Sequence, residues 1–133
     1  MIVFDQTIKS TFELAAETVD GIIDILREQF HMDKAVLFRV SFMLREVINN
    51  AVEHGNQFDE DKTIHIQVAL VDNRLTFAIE DQGEGFVLKV TEQIPDHHLR
   101  VRNRGIYLIK EFGFEFEVSG QRVEVHMPYK ANS

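Results

Sequence analysis

The sequence predicts an α+β fold, a two-layer sandwich in which a mixed, mainly antiparallel sheet carries its helices on one face. Two long stretches, about 11–30 and 34–54, place apolar residues at helical spacing. Beyond them lie two pairs of alternating segments, each pair joined by a turn-like dipeptide. Strands joined so closely must pair antiparallel. Helices with one apolar face are most simply accommodated when they all cover one side of that sheet.

Taken in order, Ile2, Phe4 and Ile8 alternate with Val3, Asp5 and Thr7, which predicts a short first strand. Ser10 and Glu13 have the spacing of a capping box, so the first helix is expected to start there. Phe12, Ala16, Val19, Ile23, Leu26 and Phe30 form its buried stripe, weakened modestly by Gly21. Asp33 is placed to cap a second helix, about 34–54, which Gly55-Asn56 ends. A charged loop, QFDEDK at 57–62, precedes the strand pair around Ile64, Ile66, Val68, Leu70 and Leu75, Phe77, Ile79. Asp72-Asn73 supplies its turn. Periodicity fades from about 87 to 103, the length of a functional loop. A short helix at about 104–112 follows. A closing hairpin then uses Phe114, Phe116 and Val118, a Ser119-Gly120 turn, and Val123, Val125 and Met127. The tail YKANS is expected to fray.

At 133 residues and 44% hydrophobic content, the chain reads as one domain, 1–133, with a core of its own. It has no cysteine, which excludes disulfides and thiolate metal sites and suits a reducing, cytoplasmic setting. Its first residues do not read as a signal peptide, and no apolar run reaches the ~18 residues of a membrane span. A formal charge of −8 argues against direct nucleic-acid binding. Arg100, Arg102 and Arg104 are a local basic exception, able to attract a triphosphate or simply to be solvated.

Two stretches carry the chemistry. On the second helix Glu46, Asn50 and His54 recur every four residues and form one polar stripe. Residues 79–86 read IEDQGEGF: a strand end, then an aspartate and two glycines spaced for a tight turn. By itself His54 reads as a helix-end packing residue, and His97 and His98 as plain loop residues.

Together these stretches resemble the GHKL ATPase superfamily of gyrase, histidine kinases and large heat-shock chaperones. Glu46-x-x-x-Asn50-Ala51 with His54-Gly55 is similar to its N-box. Asp81-x-Gly83-x-Gly85-Phe86 is similar to its first glycine box, and Arg104-Gly105-Ile106 to its second. The resemblance runs from about Thr7 to Tyr129 and implies a Bergerat-type ATP-binding fold that uses ATP and Mg2+, with the 87–103 loop as a lid. It implies Asn50 as the magnesium ligand, a role suited to an amide oxygen because Mg2+ takes hard oxygen donors and keeps several waters. It implies Glu46 as general base and Asp81 as acceptor for the adenine amino group. Gly83, Gly85, Phe86, Arg104 and Gly105 would surround the nucleotide, with His54 beside them. Two positions depart from the pattern. Asn103 stands where the second box usually has its first glycine, and Gln121 where related kinases often have threonine.

A chain of this size is expected to carry no transducer domain, and no dimerisation hairpin is expected before residue 10. Within the superfamily it therefore resembles the stand-alone anti-sigma-factor serine kinases. That resemblance implies two partners, a sigma factor and an anti-anti-sigma protein phosphorylated on serine. Two alternatives stay open: a non-catalytic ATP-dependent adaptor, and a catalytic module acting in trans on a separate phosphoacceptor. A homodimer is also compatible with the sequence.

Overall fold

The computed structural model describes residues 1–83 and 108–130. In it the expected order of elements recurs: β1 (Ile2–Lys9), α1 (Phe12–Phe30), α2 (Lys34–Asn50), β2 (Thr63–Val71), β3 (Arg74–Glu80), β4 (Glu115–Ser119) and β5 (Arg122–Pro128). The five strands form one sheet in the order β1-β2-β3-β5-β4. Every one of its pairings is antiparallel. Residues 108–111 supply a last helical turn before β4; the expected start of that helix lies outside the described residues.

Alternation decides which face is covered. Ile64, Ile66, Val68, Leu75, Phe77, Ile79, Val123 and Val125 are all buried, and they form one core with Val19, Ile22, Leu26, Val40, Leu44 and Ile48 of the helices. The intervening strand residues, such as Asp5, His65, Gln67, Thr76, Glu117 and Glu124, form the other face, which is polar. Asp72 and Asn73 both take positive φ, 53° and 62°, the backbone a two-residue hairpin with right-handed twist requires.

Four local expectations are corrected. Thr11, not Ser10, caps α1: its Oγ1 accepts the Leu14 N–H at 3.1 Å, while Ser10 is buried and its Oγ has no hydrogen-bond partner among the described residues. Both hydroxyls have an acceptable spacing, and the β1 backbone ends so that Thr11 is the extended residue before the helix. Asp33 does cap α2 as expected, accepting from Val36 N at 2.9 Å. The second correction is that α2 does not run as an α-helix to 54. It ends at Asn50 and continues as a π-helical turn, Ala51–Gly55, closed by Asn56 N–H on Ala51 O at 2.8 Å. Thirdly, Gly55-Asn56 is not a left-handed stop. Asn56 has φ −88°, and the left-handed residues are Gln57 and Phe58. Finally, Tyr129 of the tail is anchored, its hydroxyl donating to Phe30 O at 2.9 Å and its ring meeting Phe30 edge-on.

Candidate functional site

The sheet end where β3 stops meets the end of α2, and the contact there is unusually close. Asp81 follows β3 and is 4% exposed. Its carboxylate lies directly against Gly55, so that a Cβ on Gly55 would overlap Asp81 Oδ2 and Cγ. A Cβ on Gly83 would in turn overlap the Gly55 carbonyl and come within 3.2 Å of Asp81 Oδ1. Both glycines are therefore fixed by close approach between backbone and carboxylate. Neither is needed for a positive φ, since the positive-φ glycines of the described chain are Gly113 and Gly120.

The aspartate is held from three sides. Its Oδ1 accepts the Gly83 N–H at 2.8 Å, closing an Asx turn. Its own N–H donates to Gln121 O at 3.1 Å, and the Gln121 side-chain amide donates to Gly83 O. Asn56, fully buried, bridges the two stretches. Its Oδ1 accepts the Gln82 N–H at 2.8 Å, and its Nδ2 donates to Thr63 O at 3.0 Å. Gln82 returns the favour by accepting the Thr63 N–H at 2.8 Å. Burial pushes the Asp81 carboxyl above its usual range; the Gly83 N–H opposes this, nearby Glu80 adds to it and Lys62 counters it.

Glu46 and Asn50 lie one turn apart on α2, both half-buried. Burial raises the Glu46 pKa as well. His54 falls on the π-helical turn, its Nε2 3.9 Å from Glu53 Oε2. The i→i+5 bonding of this turn widens the backbone between Asn50 and His54 relative to the α-helix expected there. π-Bulges of this kind recur at functional sites. Gly85, Phe86, Arg104 and Gly105, the expected lid at 87–103, and Asn103 lie outside the described residues.

Sequence reasoning named Asp81 and Gly83, which the structure brings together, and Glu46 and Asn50, which it sets on one helix. It missed Asn56 and misread Gly55, because a Gly-Asn pair after a helix is also the ordinary way to end one. Gln121, read only as a departure, is a brace of the Asp81 turn. The cradle fits a flat nitrogenous ring in one respect: a buried carboxylate, floored by glycines, with lone pairs left beyond its one backbone hydrogen bond. Asn50, with an amide oxygen one turn from a carboxylate, has the hard-donor chemistry of a magnesium site. Among the described residues no helix is long and apolar enough to cross a membrane.

The sequence profile of the histidine kinase-like ATPase domain matches residues 8–129. No curated protein matches the chain. Among solved structures it is similar to the histidine kinase domain from the Erythrobacter litoralis EL346 blue-light activated histidine kinase, with a TM-score of 0.55 and 13% identity over 86% of this chain. It is also similar to the Erythrobacter litoralis EL346 blue-light activated histidine kinase itself, with a TM-score of 0.54 and 15% identity over 87% of this chain. The match spans 60% of the first and 40% of the second of those chains. At such identities the likeness concerns the fold.

Proposed function

The chain belongs to the histidine kinase-like ATPase domain family, and from that premise we propose that it is a magnesium- and ATP-dependent protein serine kinase that also holds a sigma factor and phosphorylates an anti-anti-sigma protein. Membership by itself makes it an ATP-binding domain of kinase type. The serine acceptor and the two partners rest on the sequence resemblance.

The observation that carries the nucleotide reading is the Asp81 carboxylate, buried against Gly55 and turned by Gly83. In this reading it accepts the adenine amino proton, and a base without a donor there is rejected because the carboxylate would be left buried and unpaired. Asn56 and Gln121 hold the turn that aims it. Asn50 would hold magnesium through its amide oxygen; bound there, the ion supplies neutralisation of charge on the phosphate oxygens. Gly85, Phe86, Arg104 and Gly105 are assigned to the nucleotide from sequence, as is His54. Glu46 accepts the proton of the serine hydroxyl as its oxygen attacks the γ-phosphorus. The bond from that phosphorus to the bridging oxygen breaks and ADP leaves. Burial that raises the Glu46 pKa moves it toward the working pH of a general base.

Gln121 favours a second reading, a non-catalytic ATP-dependent adaptor. It occupies a position where related kinases often have threonine, and its side chain is engaged with Gly83. Glu46→Gln separates the two. A kinase keeps its ATP affinity and loses phosphotransfer to the partner by about 10²–10⁴-fold, the scale of general-base catalysis. An adaptor shows no transfer in wild type or variant, and unchanged transfer in the variant removes Glu46 from the role of base.

A further inference from the structure

On the sheet face away from the helices, Glu117 of β4 stands directly opposite Glu124 of β5. Like charges in that position repel. Beside them lies His126, whose side chain is 8% exposed. Among the described residues its buried Nε2 has no hydrogen-bond partner, and it faces Glu117 Oε2 at 3.5 Å and Glu124 Oε1 at 3.8 Å. One buried imidazole nitrogen and two carboxylates thus converge on a single point of this face.

We propose that Glu117, Glu124 and His126 form a binding site for a divalent transition-metal ion of the zinc class, separate from the nucleotide site. The three donor atoms lie within 4.8 Å of one another. Tetrahedral zinc with bonds of about 2.0–2.1 Å needs donors roughly 3.3 Å apart, so a small side-chain adjustment closes the site. Glu117 can make it, being 68% exposed. The far side of the ring is already arranged as in a metal-bound histidine. His126 Nδ1 meets Thr76 Oγ1 at 2.9 Å, and a proton on Nδ1 donated to that hydroxyl leaves the Nε2 lone pair for the ion. One nitrogen and two carboxylate oxygens suit zinc, nickel or copper(II) better than magnesium or calcium, which prefer oxygen alone.

The neighbouring charges leave the site intact. Arg122 Nε holds Glu124 through the other oxygen, Oε2, at 3.1 Å. Glu115, opposite His126 on β4, is engaged by Arg74 at 3.2 Å. With Thr76 on β3 orienting the ring, an ion at this position fastens the edge strand β4 to the middle of the sheet. His126 pairs with Thr76, five residues before Asp81, which is about 17 Å of extended strand. The site therefore works independently of ATP.

The test is a zinc titration of the full chain, followed by calorimetry and by long-range nitrogen–proton spectra of the histidine rings. The expected result is one ion bound with a large change at the His126 Nε2 resonance and the proton on Nδ1 in the bound state. Glu117→Gln, at an exposed position, should weaken that binding at least about tenfold, and Thr76→Val by about 10–100-fold. ATP binding should be the same in Glu117→Gln as in wild type. Zinc in excess that leaves the His126 ring signals unmoved, even if it binds at other histidines, overturns the proposal. So does zinc affinity unchanged by Glu117→Gln.

Discussion

Phe77 and Asp81 lie four residues apart, one inside β3 and one just past its end, and both are almost wholly buried. Phe77 sits among Ile, Leu and Val side chains between sheet and helices, where any apolar group of similar volume would serve. Asp81 sits between two glycines and accepts a backbone amide, where only a side chain of the same size with an acceptor in the same place fits. The first region supplies stability by removing apolar surface from water. The second keeps a carboxylate in a setting that raises its proton affinity, which opposes folding at neutral pH. Stability and the candidate site are thus separated along a single strand.

Substitutions can break that separation. The largest expected effect is in the core: Phe77→Ala should cost about 3–5 kcal/mol by denaturant unfolding. Nucleotide affinity of the molecules that remain folded should be retained. Gly83→Ala comes next. Its new methyl meets backbone at Gly55, so the turn must move at a cost of about 1–3 kcal/mol, and ATP binding should be lost while the chain still unfolds cooperatively. If Gly83→Ala bound ATP as wild type does, the close approach of the two stretches would have no functional weight. Asn56→Ala should cost about 1–3 kcal/mol by leaving the Gln82 N–H without its acceptor, and should weaken ATP binding through Asp81 without touching the nucleotide. Gly21→Ala is the contrasting glycine: nothing lies near its Cβ position, it is inside α1, and alanine there should add about 0.5–1 kcal/mol with no effect on ATP.

The smallest effect is a pH dependence. The folded state holds protons on Glu46 and Asp81 more tightly than the ordinary values of 4.5 and 3.8 allow. Between those values and the raised ones it binds more protons than the unfolded chain, so stability falls as pH rises through that window. Glu46→Gln should therefore raise the melting temperature at pH 7 and flatten its dependence on pH above about 4.5. A variant less stable at pH 7 than wild type would show that the charge of Glu46 is favourable in the folded state.

The apolar face was legible because it repeats. Ile64, Ile66, Val68 and Leu75, Phe77, Ile79 alternate, and alternation alone assigns them to the core side. Asp33 was legible as a cap because no competing hydroxyl stands beside it, whereas Ser10 and Thr11 are neighbours and only the end of β1 chooses between them. The π-helical turn left no mark in the pattern, since AVEHG has the composition of an ordinary helix end. Asn56 was illegible because its partners, Thr63 and Gln82, are 7 and 26 residues away. The Glu117–Glu124–His126 cluster likewise depends on the register of β4 against β5, which spacing along one strand does not give.

In the proposed nucleotide site Asp81, buried on Gly55, recognises adenine. Its most direct test is a calorimetric titration of magnesium-ATP into wild type and Asp81→Asn, with melting curves on both. Asparagine keeps an acceptor for Gly83 N–H and removes a buried charge, so the variant should melt at the wild-type temperature or above it at pH 7. Its ATP affinity should fall by about 1–3 kcal/mol, the worth of a hydrogen bond to a charged group. Equal affinity in the two proteins, or no ATP binding to folded wild type, would contradict that role for Asp81.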